Sequence, residues 1–288
     1  MRAVAVLIPF AEKLARRRLH SRGYESRWFE TRAGKLHAYD APGRGTLPPI
    51  VLVHGLVSSG IAFAPIMERI RPYVKRVVGL ELPGHGFSEE PTQTLTPDLV
   101  FEAATEALDA ITGDPFVLVG NSMGGAVSLR YAIDRPKRPA ALALFSPAGA
   151  KGTDADLADV TSAFAAKTPR EARALLRRIY HHQRWFLPLV ALEFPSLLAR
   201  KPIRDILETV THDHSVKPEE LAALAMPILF VWGRSERLLP REHLAYFREH
   251  LPKHARILEP DAVGHCPHFD DAKGVAELIV DLAREVAV

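Results

Sequence analysis

Cysteine is almost missing from this 288-residue chain, which contains a single one, Cys266. One cysteine excludes an intrachain disulfide and suits the reducing environment of the cytoplasm, where we expect the protein to reside. Charge of one sign is also scarce: the formal net charge is +3, and acidic and basic residues are interspersed. The sequence shows no basic face with interleaved aromatics and no zinc-finger spacing, so we expect no nucleic-acid partner.

Glycine-rich phosphate loops of the P-loop or dinucleotide type are missing too, so we expect no cofactor. One run of ligand-type residues, Thr211-His212-Asp213-His214, has no partner at a diagnostic spacing elsewhere in the chain. We interpret it as a solvated helix end or loop and expect no metal site. Hydrophobic residues make up 47% of the chain, which is enough for a full core.

No apolar run is long enough to span a bilayer, which needs about 20 residues. The N-terminus has a shorter apolar stretch over residues 3–11, followed by Lys13 and the basic run Arg16 to Arg18. Pro9 and the lack of a clear cleavage site argue against a signal peptide. Residues 1–25 are predicted to form an N-terminal helix, docked or frayed. The alternative is an interfacial helix with its arginines at lipid headgroups, so a weak contact with a membrane surface stays open.

Alternating strand and helix patterns predict an α/β fold, with a mostly parallel sheet flanked by helices on both faces. From residue 151 to residue 225 the alternation stops, and a helical pattern punctuated by prolines replaces it. Strands resume at Met226. We therefore predict a core of residues 26–150 and 226–288, with a helical cap of residues 151–225 over the active site.

A candidate nucleophile lies in the sequence Gly120-Asn121-Ser122-Met123-Gly124, between an apolar strand and a helical segment. A G-x-S-x-G sequence in this context is the nucleophile elbow. The turn is so sharp that we expect strained backbone angles at Ser122, with the glycines leaving room for packing. The pattern also predicts the backbone N–H of Met123 as one oxyanion donor. The alternative is a glycine-rich turn without a catalytic role.

A serine nucleophile needs a base, and the base needs an orienting acid. In the elbow arrangement the chain order is serine, then acid, then histidine. We predict His265 as the base because Gly264-His265 follows a late strand directly, while the competing His268 lies closer to the last helix. Glu236 is the only carboxylate in the loop after the preceding strand and is the predicted acid. Its alternative is a solvated glutamate paired with a neighbouring loop arginine.

Together these motifs resemble the α/β-hydrolase fold serine hydrolases over most of the chain. Residues 49–55 resemble the family's strand ending in His-Gly, and residues 77–88 resemble its strand followed by a P-G-x-G-x-S loop. Two residues depart from the family pattern, which usually has aspartate where Glu236 and Glu81 stand. Glutamate is one methylene longer, so its contact with His265 requires another rotamer or a shifted loop.

The resemblance implies a second oxyanion donor, the backbone N–H of Leu56, which follows His-Gly. It also implies a serine hydrolase that cleaves small-molecule carboxylic esters with short to medium acyl chains, monoacylglycerols among the candidates. Within the family, the sequence most resembles bacterial carboxylesterases and monoacylglycerol-lipase-like members. The cap carries an unusually apolar segment over residues 185–198, and we expect Trp185, Phe186 and Leu189 to form part of the acyl pocket.

Two other functions stay open. The elbow also resembles that of C–C bond hydrolases, which cleave ring-fission products of aromatic degradation, although the stretch after His54-Gly55 lacks the further glycines and proline of that group. A non-catalytic binding or scaffold protein is the other alternative, and the complete set of Ser122, Glu236 and His265 argues against it. The sequence predicts no oligomeric state, and the fold alone does not fix a substrate.

Overall fold

The computed structural model describes residues 7–111 and 113–287. These residues form one eight-stranded sheet with the strand order β1-β2-β4-β3-β5-β6-β7-β8. Its strands are β1 (Glu25–Thr31), β2 (Gly34–Pro42), β3 (Ile50–Val53), β4 (Arg76–Leu80), β5 (Phe116–Asn121), β6 (Pro139–Phe145), β7 (Ile228–Val231) and β8 (Arg256–Leu258). The hairpin β1–β2 and the pair β2–β4 are antiparallel, and the other pairs are parallel. The predicted mostly parallel α/β sheet is confirmed.

Helices surround the sheet. Those of the described residues are α1 (Leu7–Ser21), α2 (Ala64–Ile70), α3 (Pro97–Ile111), α4 (Met123–Asp134), α5 (Asp154–Phe164), α6 (Pro169–Ile179), α7 (Leu187–Leu198), α8 (Lys201–Thr209), α9 (Pro218–Ala222), α10 (Arg241–His250), α11 (Pro267–Asp270) and α12 (Ala272–Glu285). No helix in the described part of the chain is both long enough and apolar enough to cross a membrane.

All four residues of the central strand β3 are apolar and buried because helices cover both faces of the sheet. Along β3, Val51 and Val53 pack with α3, α4 and α10 on one face, while Ile50 and Leu52 pack with α2 and α12 on the other. Side chains alternate between the faces of a strand, so these four residues contribute to the hydrophobic clusters on both faces of the sheet. The sheet therefore gives a rigid base whose parallel strands end at one edge.

Helices α5 to α9 lie between β6 and β7, in the stretch predicted as the cap. Their starts follow local chemistry. Pro169 occupies the first turn of α6, where its missing N–H is not needed. Thr168 accepts a hydrogen bond from the Glu171 N–H, and the Glu171 carboxylate accepts one from the Thr168 N–H, which completes a capping box. The division of the chain into a core and a cap stays a prediction.

Helix α1 is docked on the cap rather than frayed. The Glu193 carboxylate of α7 accepts hydrogen bonds from the backbone N–H groups of Leu7 and Ile8, both 2.8 Å long. A carboxylate at a helix N-terminus satisfies unpaired donors and opposes the helix dipole. Leu19, near the other end of α1, is fully buried. The first part of the predicted N-terminal helix, residues 1–6, lies outside the described residues.

Histidine burial makes the fold sensitive to acid. Desolvation lowers the pKa of His54 to about 3, of His85 to about 4 and of His268 to about 3. Because these values lie below the ordinary value of 6.5, the unfolded chain binds more protons than the folded chain between these limits. The free energy of unfolding should therefore rise with pH across this window.

We expect His268→Phe to flatten this pH dependence. The His268 ring packs 4.6 Å from that of Phe63, and its buried Nδ1 has no hydrogen-bond partner among the described residues, so phenylalanine suits the site. Denaturant unfolding between pH 4 and 6 should show a slope smaller by about 1.4 kcal/mol per pH unit, the value for one proton. The exposed His182→Gln is the control; equal slopes in His268→Phe and wild type would contradict the prediction.

Candidate active site

Ser122 lies at the sharp turn between β5 and α4. Its φ of 55° and ψ of −120° place a non-glycine residue in the left-handed half of backbone space, which confirms the expected strain. A Cβ atom at Gly120 would lie 2.3 Å from the carbonyl oxygen of Gly124. One at Gly124 would lie 2.2 Å from the carbonyl oxygen of Val53. Gly120 is therefore required for α4 to pack against the end of β5, and Gly124 is required for α4 to pack against the end of β3.

Backbone hydrogen bonds fix this turn. The Ser122 N–H donates to the carbonyl of Phe145, at the end of β6, over 3.1 Å. The Ser122 carbonyl accepts from the N–H groups of Ala126 and Ala148, at 3.1 and 3.0 Å. Neighbouring strand ends and the first turn of α4 thus hold the backbone in its strained conformation, and the Ser122 side chain remains partly exposed in the cavities described below.

Glu236 and His265 meet in the loops that follow β7 and β8. The Glu236 Oε2 atom lies 2.8 Å from His265 Nδ1, and the two side chains are only 2% and 3% exposed. The Glu236 Oε1 atom accepts hydrogen bonds from the N–H groups of Leu238 and Leu239, at 2.8 and 3.1 Å. The longer side chain of glutamate therefore reaches the histidine with one oxygen while the backbone holds the other.

The electrostatics favour an ionised Glu236. Burial opposes its charge, but the His265 ring, their shared hydrogen bond and the Leu239 N–H outweigh the burial and hold the pKa of Glu236 below its usual range. The loop arginines are engaged elsewhere: Arg234 pairs with Asp261, and Arg237 donates to the carbonyl of Tyr180. A solvated Glu236 paired with a loop arginine is thus not what the structure contains.

His265 is held from the backbone as well as from its ring. Its N–H donates to the carbonyl of Ile179, the last residue of α6, over 2.9 Å. With Nδ1 bound to Glu236, Nε2 is the ring nitrogen left for the serine. Ser122 and His265 line the same cavity. The competitor His268 lies in α11, where its ring packs against those of Phe63 and Phe269.

Asn121 connects the strained turn at Ser122 to the loop that carries His265, a contact that the sequence motif did not reveal. Its Nδ2 donates to the carbonyls of Phe145 and His265, at 2.8 and 2.9 Å, and the Asn121 side chain is buried. Its Oδ1 accepts from the Cys266 thiol over 3.6 Å. Burial raises the pKa of that thiol well above its usual range, so Cys266 stays protonated. The sequence offered one signal for this contact, which is that Asn121 is a polar residue at the end of an otherwise apolar strand.

The predicted oxyanion donors come from two separate elements. Met123 is the first residue of α4, whose N-terminus favours negative charge, and Leu56 follows the end of β3. A Cβ atom on Gly55 would lie 3.0 Å from the Cβ of Ser122, so this loop passes directly beside the nucleophile. Within residues 7–111 and 113–287, neither N–H donates to a backbone carbonyl. In that part of the chain no backbone carbonyl therefore competes with a ligand oxygen for these two N–H groups.

Two cavities meet at Ser122. The first has a volume of about 170 Å³ and lies beneath α3, α5 and α8; the second has a volume of about 380 Å³ and lies beneath α1 and α7. Leu56 and Phe164 border both. The sequence did not indicate that α1 would contribute a wall, because nothing in its apolar pattern says which element it covers.

Of the three residues expected to form the acyl pocket, one lines a cavity and two lie on the surface. Phe186 lines the second cavity. Trp185 is 84% exposed and Leu189 is 46% exposed, and both lie outside the walls of the two cavities, which corrects the expectation. The reason is the phase of α7: its inward face carries Leu187, Ala191, Phe194 and Leu198, so Leu189 falls on the outward face.

Comparison with known proteins matches residues 48–272 to the family described as alpha/beta hydrolase fold. The pimeloyl-acyl-carrier-protein methyl ester esterase of Xanthomonas campestris pv. campestris strain B100 is 32% identical over 260 residues, which cover 83% of this chain and 96% of the relative. Carboxylesterase CesB from Bacillus subtilis has a TM-score of 0.77 at 17% identity, covering 96% of this chain and 98% of its own. The 2-hydroxy-6-oxo-6-phenylhexa-2,4-dienoate hydrolase from Rhodococcus sp. strain RHA1 has a TM-score of 0.77 at 22% identity, covering 91% and 99%. At these identities the two solved structures show a shared fold only.

Replacing Asn121 by leucine tests its positioning role. The change keeps the branched shape and the number of heavy atoms, but it leaves the His265 carbonyl without the Asn121 donor and the Phe145 carbonyl with only the Ser122 N–H, so the loop that carries His265 should shift. We expect kcat to fall by about 10²-fold, as a misplacement of about 1 Å does, with a smaller change in KM. Cys266→Ala, which loses only the weak thiol contact, is the matched control. The measurement is steady-state kinetics of both variants, with a thermal melt to check that each is folded. If Asn121→Leu had the same kcat as wild type and Cys266→Ala, the positioning role would be contradicted.

Proposed function

Because the chain belongs to the α/β-hydrolase fold family, we propose that its site hydrolyses carboxylic esters through an acyl-enzyme on Ser122. The chain belongs with the carboxylic ester hydrolases of this family. The observation that carries the mechanism is the buried Glu236–His265 pair, whose histidine lines the same cavity as a serine on a strained turn. A binding role would need none of these three side chains.

The proposed reaction begins when the Ser122 hydroxyl attacks the ester carbonyl while His265 Nε2 removes its proton. Glu236 fixes the ring in the tautomer that leaves Nε2 free to accept, and it stabilises the imidazolium that forms. The carbonyl oxygen becomes negative only in the tetrahedral state, where the N–H groups of Leu56 and Met123 bind it. One such donor contributes about 10²- to 10³-fold in rate.

Collapse of the tetrahedral state breaks the bond to the alcohol, whose oxygen takes the proton from His265. The acyl group then remains on Ser122 as an ester. A water molecule repeats the sequence: His265 removes its proton, the water oxygen attacks the acyl carbonyl, and Ser122 leaves with the returned proton. The products are one acid and one alcohol, so the catalytic groups return to their starting state.

We further propose substrates with short to medium acyl chains, with monoacylglycerols as one candidate class. Support comes from the mainly apolar side chains around Ser122, among them Leu157, Val160, Phe164 and Ile206. Apolar walls with few convergent polar groups are typical of sites for such ligands.

Hydrolysis of p-nitrophenyl esters from acetate to palmitate by wild type, Ser122→Ala and Glu236→Gln tests the proposal. We expect a preference for short or medium chains. Ser122→Ala should lose about 10⁴-fold or more in kcat, and Glu236→Gln about 10³- to 10⁴-fold because the ring loses its orienting charge. The exposed Ser162→Ala is the control. Full activity in Ser122→Ala, or cleavage of dienol ring-fission products without ester hydrolysis, would contradict it.

We also propose that α1 contacts the surface of an anionic phospholipid bilayer. Leu7, Phe10 and Leu14 follow one another at helical spacing, and all are exposed, Phe10 at 67%. Lys13 and Arg17 are exposed beside them and form no ion pair within the described residues. An apolar stripe bordered by cations matches the interface of such a bilayer.

Sedimentation with vesicles tests this contact. Wild type should bind phosphatidylcholine vesicles that contain phosphatidylglycerol, and binding should weaken as salt is added, because surface charges are screened. Replacing Phe10 and Leu14 together by serine should reduce binding by about tenfold or more, since apolar area drives insertion. Trp28→Ser, another exposed aromatic, is the control. Unchanged vesicle binding in the double variant would overturn the proposal. So would sedimentation velocity that shows a wild-type dimer, lost in the double variant, because the patch would then pack against a second copy of the chain.

A further inference from the structure

The two cavities at Ser122 differ in which catalytic groups they contain. The first is lined by Ser122, Leu56 and Met123 but not by His265. The second is lined by Ser122, Leu56 and His265 but not by Met123. We propose that the first cavity holds the acyl group of the ester and the second holds the alcohol. This inference rests on the proposed ester hydrolysis and deepens it.

Proton transfer decides the assignment. The imidazolium must give its proton to the oxygen of the departing alcohol, and a general acid must lie within hydrogen-bond reach of the atom it protonates. The alcohol oxygen therefore lies on the side of the tetrahedral carbon that faces His265. The carbon chain attached to that oxygen extends into the cavity that His265 lines, which is the second one.

The oxyanion donors place the remaining substituent. Four groups surround the tetrahedral carbon: the Ser122 oxygen, the oxyanion, the alcohol oxygen and the acyl chain. The oxyanion points to the N–H groups of Leu56, which borders both cavities, and Met123, which lines only the first of the two. With the alcohol on the side of His265, the acyl chain enters the first cavity, past Met123 and along α5.

The walls give each cavity its own selectivity. The acyl cavity, about 170 Å³, is lined by Leu157 and Val160 of α5 and Ile206 of α8. The alcohol cavity, about 380 Å³, is lined by Ile8 and Ala15 of α1 together with residues of α7. Because the acyl cavity has less than half the volume of the other, the structure assigns to this site esters of compact acids with large, mainly apolar alcohols.

The apolar cap segment over residues 185–198 takes a different role from the one its sequence suggested. Its members that line either of the two cavities at Ser122 are on the alcohol side: Phe186, Leu187, Val190, Phe194 and Leu197. This segment therefore selects the alcohol and not the acyl group. The assignment also removes monoacylglycerols from the proposed substrates, because a monoacylglycerol combines a large acyl group with a small alcohol.

Two ester series separate the cavities: butyrate esters of linear alcohols from methanol to dodecanol, and methyl esters of linear acids from acetate to laurate. Val160→Phe should fill the acyl cavity and lower kcat/KM for the longer acids by about tenfold relative to acetate, while the order of preference among alcohols stays the same. Ala15→Phe should fill the alcohol cavity and lower kcat/KM for the longer alcohols relative to methanol, while the order of preference among acids stays the same. Ala11→Phe is a second variant of the same wall. Ala158→Phe, on the exposed side of α5, is the matched control.

Deacylation gives a readout that folding defects would not reproduce. Every butyrate ester leaves the same acyl-enzyme, so the rate of the second step does not depend on the alcohol that has left and reports on the acyl group bound to Ser122. Val160→Phe should change this rate, and Ala15→Phe should change only the burst that reports acylation. The opposite pattern would overturn the assignment while ester hydrolysis itself remained. Loss of hydrolysis in wild type for all esters would instead refute the proposed function.

Discussion

The close approach of β5, α4 and β3 at the elbow is the constraint on which the rest of the site depends. Gly124 packs against the carbonyl of Val53 so tightly that any Cβ would collide, and this contact sets the angle at which α4 leaves the sheet. The strained Ser122 is held only because hydrogen bonds from neighbouring strand ends surround it. The same packing brings the loop with Leu56 beside the nucleophile. A relaxed turn would lose the serine and the oxyanion donors together.

Charge in the site is concentrated on one buried pair. Glu236 is held as a carboxylate by His265 and by two backbone N–H groups, so its negative charge is balanced where it lies. Around it, His54, His85 and His268 are kept neutral by burial. His54 shows how such a ring is used: its Nδ1 donates to the carbonyl of Gly55, and its Nε2 accepts from the Leu82 N–H. These neutral rings support loops, while the proposed proton transfer falls to His265.

The fold and the residues that meet at the site were predictable because their signals are local. Strand patterns, the elbow glycines and the loop positions of Glu236 and His265 each occupy a few consecutive residues, and parallel strands bring such loops to one edge. The positions of Trp185 and Leu189 were not predictable in this way, because α7 is apolar on most of its surface and only tertiary packing selects its inner face. Asn121 and α1 act through partners more than a hundred positions away in the sequence. The catalytic roles of Ser122, Glu236 and His265 stay predictions.

The attachment of α1 to Glu193 has a consequence for how the protein is handled. Two backbone hydrogen bonds to a single carboxylate hold the start of a helix whose inner face closes the larger cavity. Trimming the chain at the hairpin would remove that wall together with the buried Leu19, and a bulky tag on α1 would crowd it. In either case the larger cavity would lose its shape on the side of α1, and its proposed selection among alcohols would weaken.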